Sequence, residues 1–136
     1  MRSPPRDEAE RWLRQAEDDL CFAELGASHG FFAQSCFLAQ QAAEKAVKAL
    51  HYLGGARVVL GHSVGQLLRT LPPELAAPTE VLQAAHLLDE YYVPTRYPNG
   101  LPAGTPAEHY QDWQAADALE RARRVIAFCR ARLEAS

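Results

Sequence analysis

The spacing of apolar residues constrains the fold of this chain more than any other feature. Leu13, Ala16, Leu20, Ala23 and Ala27 follow one another at intervals of three and four, which places them on one face of an α-helix. The chain holds 24 Ala and 17 Leu but only 7 Val, 1 Ile and 4 Thr. Because Ala and Leu favour helices and β-branched residues favour strands, the sequence predicts an all-α fold.

The same periodicity recurs in four later segments, separated by glycine and proline pairs. The first helix is expected to end near Ser28-His29-Gly30, and further helices are predicted over residues 31–53, 63–70, 78–92 and 107–135. Short connections between long amphipathic helices predict an antiparallel up-and-down bundle of four long helices plus a short one. Residues 1–136 are expected to form a single domain, because a chain of this length supports one core.

Periodicity also assigns a face to individual side chains. The residues expected on the exposed face of the second helix are Gln41, Glu44, Lys45 and Lys48. Those expected to point inward from the last helix are Trp113, Ala116, Leu119, Ile126, Cys129 and Leu133. Thr79 is the best candidate for the N-cap of the fourth helix.

Charge and composition exclude several classes of protein. The net charge is −3, with acidic and basic residues interspersed, so the chain lacks the basic stripe that non-specific DNA binding requires. Neither a signal peptide nor a transmembrane segment is recognisable, which predicts a cytoplasmic protein that does not bind a membrane. Cys21, Cys36 and Cys129 lie far apart and are interpreted as buried free thiols in a reducing compartment.

No motif indicates a metal or a cofactor, and neither is expected. His86 has helical spacing to Asp89 and Glu90, but such a group is typical of an exposed, solvated helix face. No cysteine has a partner at zinc-ligand spacing, and the sequence lacks the glycine-rich loops that bind phosphates.

Two clusters are candidates for function, and Arg57 with His62 is the first. The two residues are separated by four positions. A histidine can take a proton from a ribose 2′-hydroxyl, and an arginine can stabilise the resulting charged intermediate, without a metal. Alternatively, Arg57 is a solvated loop residue and His62 caps the next helix.

The second cluster runs from Tyr91 to Pro98, where a helix meets a stretch that carries a proline at every fourth residue. Arg96 can bind phosphate through two hydrogen bonds, and a tyrosine ring can stack on a base. Alternatively, Arg96 pairs internally with Asp89 or Glu90. Pro94, Pro98, Pro102 and Pro106 exclude a helix, so this stretch is expected to be a semi-rigid crossing that holds Arg96 and Tyr97 against the bundle.

Three segments, taken in order, resemble a known family. Residues 40–50, Gln-Gln-Ala-Ala-Glu-Lys-Ala-Val-Lys-Ala-Leu, are similar to the second helix of HEPN domains. His62-Ser63-Val64 with Leu67-Leu68 resembles the His-Ser/Asp-Leu-x-x-Leu-Leu step that follows in that family. The residues from Tyr92 to Pro98 resemble its Tyr-x-x-Thr-Arg-Tyr-Pro element.

The resemblance implies a helical bundle of four or five helices that forms a homodimer with a cleft near the interface. It also implies a possible partner, a minimal nucleotidyltransferase, in a two-component toxin–antitoxin-like pair. Some members of the family are metal-independent endoribonucleases with an Arg-x(4–6)-His motif, and others bind nucleotides or RNA. Arg57 and His62 satisfy that spacing, whereas Arg96 has no histidine within six residues.

Three hypotheses follow. The first is a nucleotide- or RNA-binding module that acts with a nucleotidyltransferase through a surface composed of Lys45, Lys48, Tyr92, Thr95, Arg96 and Tyr97. The second is a metal-independent endoribonuclease that uses Arg57 and His62. The third is a structural dimerisation bundle, in which the tyrosines only cover the helix ends.

Overall fold

The computed structural model describes residues 4–136, and all the regular structure within them is helical. The α-helices are α1 (Pro5–Ser28), α2 (Phe32–Leu53), α3 (Val64–Arg69), α4 (Thr79–Asp89), α5 (Pro106–His109) and α6 (Asp112–Ala135). Single 3₁₀ turns occupy Pro73–Leu75 and Pro98–Gly100. The predicted all-α fold is confirmed. None of the helices in this range has the length and apolar character needed to cross a membrane.

Side-chain contacts at the helix ends define the direction of each helix. Ser35 Oγ, near the start of α2, donates to the carbonyl of Ala23 near the end of α1 at 2.8 Å. Arg6 Nη1, at the start of α1, donates to the carbonyl of Leu133 near the end of α6 at 2.9 Å. Helix α1 is therefore antiparallel to both α2 and α6.

Helix α4 completes the up-and-down arrangement. Tyr91, just beyond the end of α4, donates its hydroxyl to Asp117 in the first turns of α6 at 3.2 Å. At the opposite end, Arg132 of α6 donates to the carbonyl of Ala76, which precedes α4, at 3.3 Å. Helices α4 and α6 are thus antiparallel, and the short α3 packs between α2 and α4.

Helix α2 lies at the centre of the bundle, so that a charged side chain of its polar face is buried as well as its apolar face. Ala39, Ala43 and Ala46 are fully buried and allow close approach of the neighbouring helices. Glu44, expected on the exposed face, is only 3% exposed. The prediction was wrong because His62, in the α2–α3 connection, lies against this carboxylate.

Two helix boundaries differ from expectation. Helix α4 ends at Asp89 rather than at residue 92. Thr79 is the first residue of this helix rather than its N-cap, and no side chain in the part of the chain that the structure describes makes a capping hydrogen bond there. The predicted last helix is interrupted, since Tyr110 and Gln111 leave the helical conformation between α5 and α6. Tyr110 is buried at this break, and the centroid of its ring lies 6.0 Å from that of Tyr91.

Three side chains predicted to be buried are exposed. Trp113 is 66% exposed and Ala116 is also exposed, because the buried stripe of α6 begins at Ala115 and continues through Ala118 and Leu119. Cys21 is exposed beside the α1 stripe, whereas Cys36 and Cys129 are buried as expected.

Candidate functional site

The segment after α4 folds back tightly and fixes the side chains that follow. Thr95 is buried, and its hydroxyl donates to the carbonyl of Tyr91. Gly100 approaches Pro94 so closely that a Cβ at position 100 would lie 3.0 Å from the Cα of Pro94. The contacts of Thr95, before Arg96 in the sequence, and of Gly100, after it, therefore hold this segment in place.

Arg96 lies over aromatic rings with most of its hydrogen-bonding capacity unused. Its Cζ atom is 4.4 Å from the ring centroid of Tyr92, 4.7 Å from that of Phe37 and 5.1 Å from that of Tyr97. Its Nε donates to the carbonyl of Tyr92 at 2.8 Å, and within residues 4–136 neither Nη atom has a hydrogen-bond partner. The guanidinium is thus held in place with its outer donors free for an anion.

The expected alternative, an ion pair of Arg96 with Asp89 or Glu90, is wrong. Asp89 instead caps α3 from a different helix. Its carboxylate accepts hydrogen bonds from the backbone N–H groups of Val64 at 2.7 Å and Gly65 at 3.0 Å, and from the hydroxyl of Ser63 at 2.8 Å. These bonds hold the start of α3, and with it the neighbouring His62.

His62 is bonded to a buried carboxylate. Its Nδ1 lies 2.9 Å from Glu44 Oε1, and its ring stacks on Tyr92 with centroids 5.2 Å apart and an interplanar angle of 19°. The side chain of His62 is nevertheless 64% exposed. The carboxylate of Glu44 also accepts a hydrogen bond from Gln41 Nε2 at 2.8 Å, and its Oε1 lies 3.3 Å from Lys48 Nζ. An imidazole oriented in this way can exchange a proton with a bound molecule.

Not all of the predicted site residues come together. The ring of Tyr92 contacts His62 and Arg96, and Arg96 also lies over the ring of Tyr97; we call these four residues the Tyr92 cluster. Lys48 is linked to the cluster through Glu44, which bonds to His62. Two predicted residues lie apart from it, Lys45 and Arg57. Lys45 pairs with Asp19 of α1.

Arg57 is exposed in the α2–α3 connection, and no hydrogen bond or ion pair joins it to His62 or to any other residue in the described range. His62 does not cap α3. Ser63 caps it instead, since its Oγ accepts a hydrogen bond from the backbone N–H of Gln66 at 3.1 Å. The two members of the predicted catalytic pair therefore have different surroundings, one solvated and the other held by Glu44.

Sequence reasoning missed Glu44 and Phe37 as site residues. Glu44 lies four positions before Lys48 and three after Gln41, a spacing that predicts surface contacts along a helix but not burial. Phe37 belongs to none of the predicted stripes. Its role beneath Arg96 depends on the path of residues 90–97, which local sequence patterns do not determine.

The histidine predicted to lie on a solvated face has a partner of its own. His86 is exposed, as expected, but its Nε2 lies 3.0 Å from Arg69 Nε and 2.8 Å from Arg69 Nη2. An arginine only donates, so Nε2 of His86 accepts. Across residues 4–136 no group of three or more His, Cys, Asp or Glu side chains is arranged to hold a metal ion.

Tyr91 supports the cluster rather than taking part in acid–base chemistry. Burial, together with the carboxylate of Asp117, raises its pKa well above the ordinary tyrosine value. The hydroxyl therefore stays protonated and donates to Asp117, which also pairs with Arg121 at 2.9 Å.

An apolar groove of about 680 Å³ begins beside Arg96 and runs between the end of α1 and the start of α2. Thr95, Phe37 and Leu38 line one part of it. Phe22, Leu25 and Phe31 line the rest and are 61%, 53% and 57% exposed. So many exposed large apolar side chains in one place are typical of an interaction surface.

Several solved structures resemble this chain over almost its whole length. TT1696 from Thermus thermophilus is 43% identical, with a TM-score of 0.88 over 92% of this chain and 98% of that chain. ST0689, an archaeal HEPN homologue, is 36% identical with a TM-score of 0.78, covering 93% and 98%. A HEPN domain protein from Thermotoga maritima is 34% identical with a TM-score of 0.71, covering 91% and 98%.

A comparison with curated proteins gave no significant match. The family model of the HEPN domain, by contrast, matches residues 9–132, which contain all of α2, the His62 loop and the Tyr92 cluster. This extent, together with the three structural relatives, confirms the resemblance drawn from the sequence. The chain belongs to the HEPN domain family.

Proposed function

We propose that this chain is a nucleotide- or RNA-binding module that acts with a minimal nucleotidyltransferase in a toxin–antitoxin-like pair. The observation that carries the binding proposal is Arg96, whose guanidinium lies over three rings with both Nη groups free of partners within residues 4–136. Two free donors on a fixed plane match the oxygens of a phosphate.

The surroundings of Arg96 suit a nucleotide better than a bare anion. Tyr97 is 51% exposed, so its ring can stack on a base while Arg96 binds the adjoining phosphate. Lys48 and Lys45 are each paired with a carboxylate, Glu44 and Asp19, so they make no direct contact with the ligand and add little net positive potential. Thr95, being buried, positions Arg96 through its bond to Tyr91.

The binding proposal is tested by fluorescence anisotropy with a labelled oligouridylate and by calorimetry with ATP. Arg96→Ala is expected to weaken binding about tenfold or more, since hydrogen bonds to charged groups are among the strongest. Arg57→Ala is the matched control, because it removes an equal charge from an exposed loop and should leave the affinity nearly unchanged. Equal affinities for Arg96→Ala and the wild type would contradict the proposal and favour the structural dimerisation bundle.

The homodimer forms part of the same proposal, and the exposed side chains of the apolar groove support it. Phe22, Leu25 and Phe31 provide the apolar surface that a second copy would cover. Sedimentation of the wild type should give a dimer, and Leu25→Asp should give a folded monomer. A monomeric wild type at micromolar concentration would contradict the dimer.

The nucleotidyltransferase partner rests on membership of the HEPN family. Its test has two steps: inspection of the neighbouring genes for a minimal nucleotidyltransferase, and co-expression of the two proteins followed by affinity purification. Failure of the two proteins to copurify would contradict this part and leave the binding proposal intact.

A second candidate function is a metal-independent endoribonuclease, which the pairing of His62 with Glu44 favours. An exposed imidazole oriented by a buried carboxylate is suited to remove a proton from a ribose 2′-hydroxyl. RNA cleavage in EDTA that disappears in His62→Ala would support it. Parallel assays of Arg57→Ala and Arg96→Ala would identify which arginine assists, and intact RNA after long incubation with the verified dimer would exclude it.

A further inference from the structure

We propose that His62 and Arg96 form a proton-dependent clamp for the phosphodiester backbone of single-stranded RNA, in which His62 contributes only when its ring is protonated. This inference rests on the proposed binding function. It adds a second contact residue and a form of regulation to that site.

The hydrogen bond to Glu44 determines which nitrogen of His62 is available. A carboxylate only accepts hydrogen bonds, so Nδ1, at 2.9 Å from Glu44 Oε1, carries the proton in this contact. Nε2 has no hydrogen-bond partner within residues 4–136, and the side chain is 64% exposed. Any ligand that approaches this ring therefore meets Nε2.

The state of Nε2 reverses the sign of its interaction with a phosphate. In the uncharged ring Nε2 is a lone-pair acceptor and repels a phosphate oxygen. In the protonated ring Nε2 carries a hydrogen and donates to the same oxygen through a charge-assisted bond. A fall in pH favours the protonated ring, whereas a phosphodiester keeps its charge near and below neutral pH.

Tyr92 brings the histidine and the arginine to one surface. The His62 ring stacks on Tyr92 at 5.2 Å, and the Cζ of Arg96 lies 4.4 Å from the same ring centroid. The Nη groups of Arg96 remain donors at every pH, because a guanidinium does not lose its proton in proteins. One residue thus supplies a permanent contact and the other a conditional one.

The charged and titratable groups around His62 come from three elements. Helix α4 contributes Asp89, whose carboxylate accepts a hydrogen bond from the hydroxyl of Ser63, the residue after His62. Helix α2 contributes Glu44, with Lys48 3.3 Å from its Oε1, and the segment after α4 contributes Tyr92 and Arg96. Glu44 and Lys48 balance each other in charge. Protonation of His62 therefore adds a net positive charge beside Arg96, and affinity for a polyanion should rise as the pH falls.

The test measures anisotropy of an oligouridylate of about eight nucleotides, a length within the usual site sizes for single strands. The oligonucleotide lacks terminal phosphates, so its charge stays constant. Wild-type affinity is expected to rise about tenfold between about pH 8 and pH 5.5, in keeping with one added charge-assisted hydrogen bond. His62→Asn keeps a donor toward Glu44 and should bind with the same affinity at both pH values. His109→Gln, which alters an exposed histidine on α5, should retain the wild-type rise.

The outcomes separate this inference from the function on which it rests. RNA binding that depends on Arg96 but not on pH, or a pH dependence that survives in His62→Asn, would overturn the clamp and leave the binding function standing. Absence of RNA binding at both pH values would overturn both. A measurement on the wild type avoids reliance on a folded variant: the ¹⁵N resonance of His62 Nε2 should move when RNA is added at about pH 5.5, and no movement would overturn the clamp.

Discussion

Glu44 and His62 are joined through Oε1 and Nδ1 at 2.9 Å although 18 positions separate them in the chain. The carboxylate is almost fully buried, and its remaining contacts are with Gln41 and Lys48. A buried charge is tolerated when it is paired and hydrogen-bonded, which is the case here. The result is an exposed imidazole whose orientation is determined from within the bundle.

The uncharged ring of His62 is expected to be the Nδ1–H tautomer, because Glu44 can only accept. Long-range ¹H–¹⁵N spectra of the uncharged ring should show a protonated Nδ1 and an unprotonated Nε2. In Glu44→Ala the two tautomers should exchange. Identical His62 resonances in both proteins would show that the 2.9 Å contact does not select the tautomer.

Gly65 and His86 should be energetically coupled. A Cβ at position 65 would lie 2.5 Å from His86 Nδ1, so Gly65→Ala forces the ring away and breaks its bonds with Arg69. In a His86→Ala background the same change should stabilise α3 by about 1 kcal/mol, the usual helix preference of Ala over Gly. A double-mutant cycle in urea should give a coupling of about 1–2 kcal/mol. Additive effects of the two substitutions would contradict the close packing.

Removal of the Asp89 carboxylate should detach α3 from α4. Asp89→Ala leaves the N–H groups of Val64 and Gly65 without their acceptor, and is expected to reduce the free energy of unfolding by about 2–3 kcal/mol. Glu90→Ala is the matched control, since Glu90 is exposed and its loss should change stability by less than about 0.5 kcal/mol. Equal urea midpoints for the two variants would show that Asp89 does not anchor α3.

The three cysteines should differ sharply in reactivity. Burial raises the pKa of Cys36 to about 12 and also raises the pKa of Cys129, so neither forms the reactive thiolate near neutral pH. Cys21 is exposed. Iodoacetamide at about pH 8 should therefore label only Cys21 in the folded protein, and all three after denaturation. Mass spectrometry of tryptic peptides distinguishes these outcomes, and native labelling of Cys36 would contradict its burial.

Helical periodicity was sufficient for the class of fold and for most of the buried stripes. The spacing of α1 placed Leu13, Ala16 and Ala23 on one face, and all three are fully buried. It was insufficient at Trp113 and at Glu44, because periodicity reports which residues share a face but not which face meets a neighbour. Burial of Glu44 depends on the α2–α3 connection, whose path has no periodic signal.

The sequence by itself determined that this chain forms a helical bundle of the HEPN family, since intervals of three and four and the order of three motifs are local, additive signals. Only the tertiary structure decided which arginine accompanies His62. Along the chain Arg57 is the nearer one, yet it is solvated, while Arg96, 34 positions from His62 in the sequence, shares Tyr92 with it. The physical reason is that an antiparallel bundle brings the end of α4 back beside the first half of α2, and sequence distance carries no information about that contact.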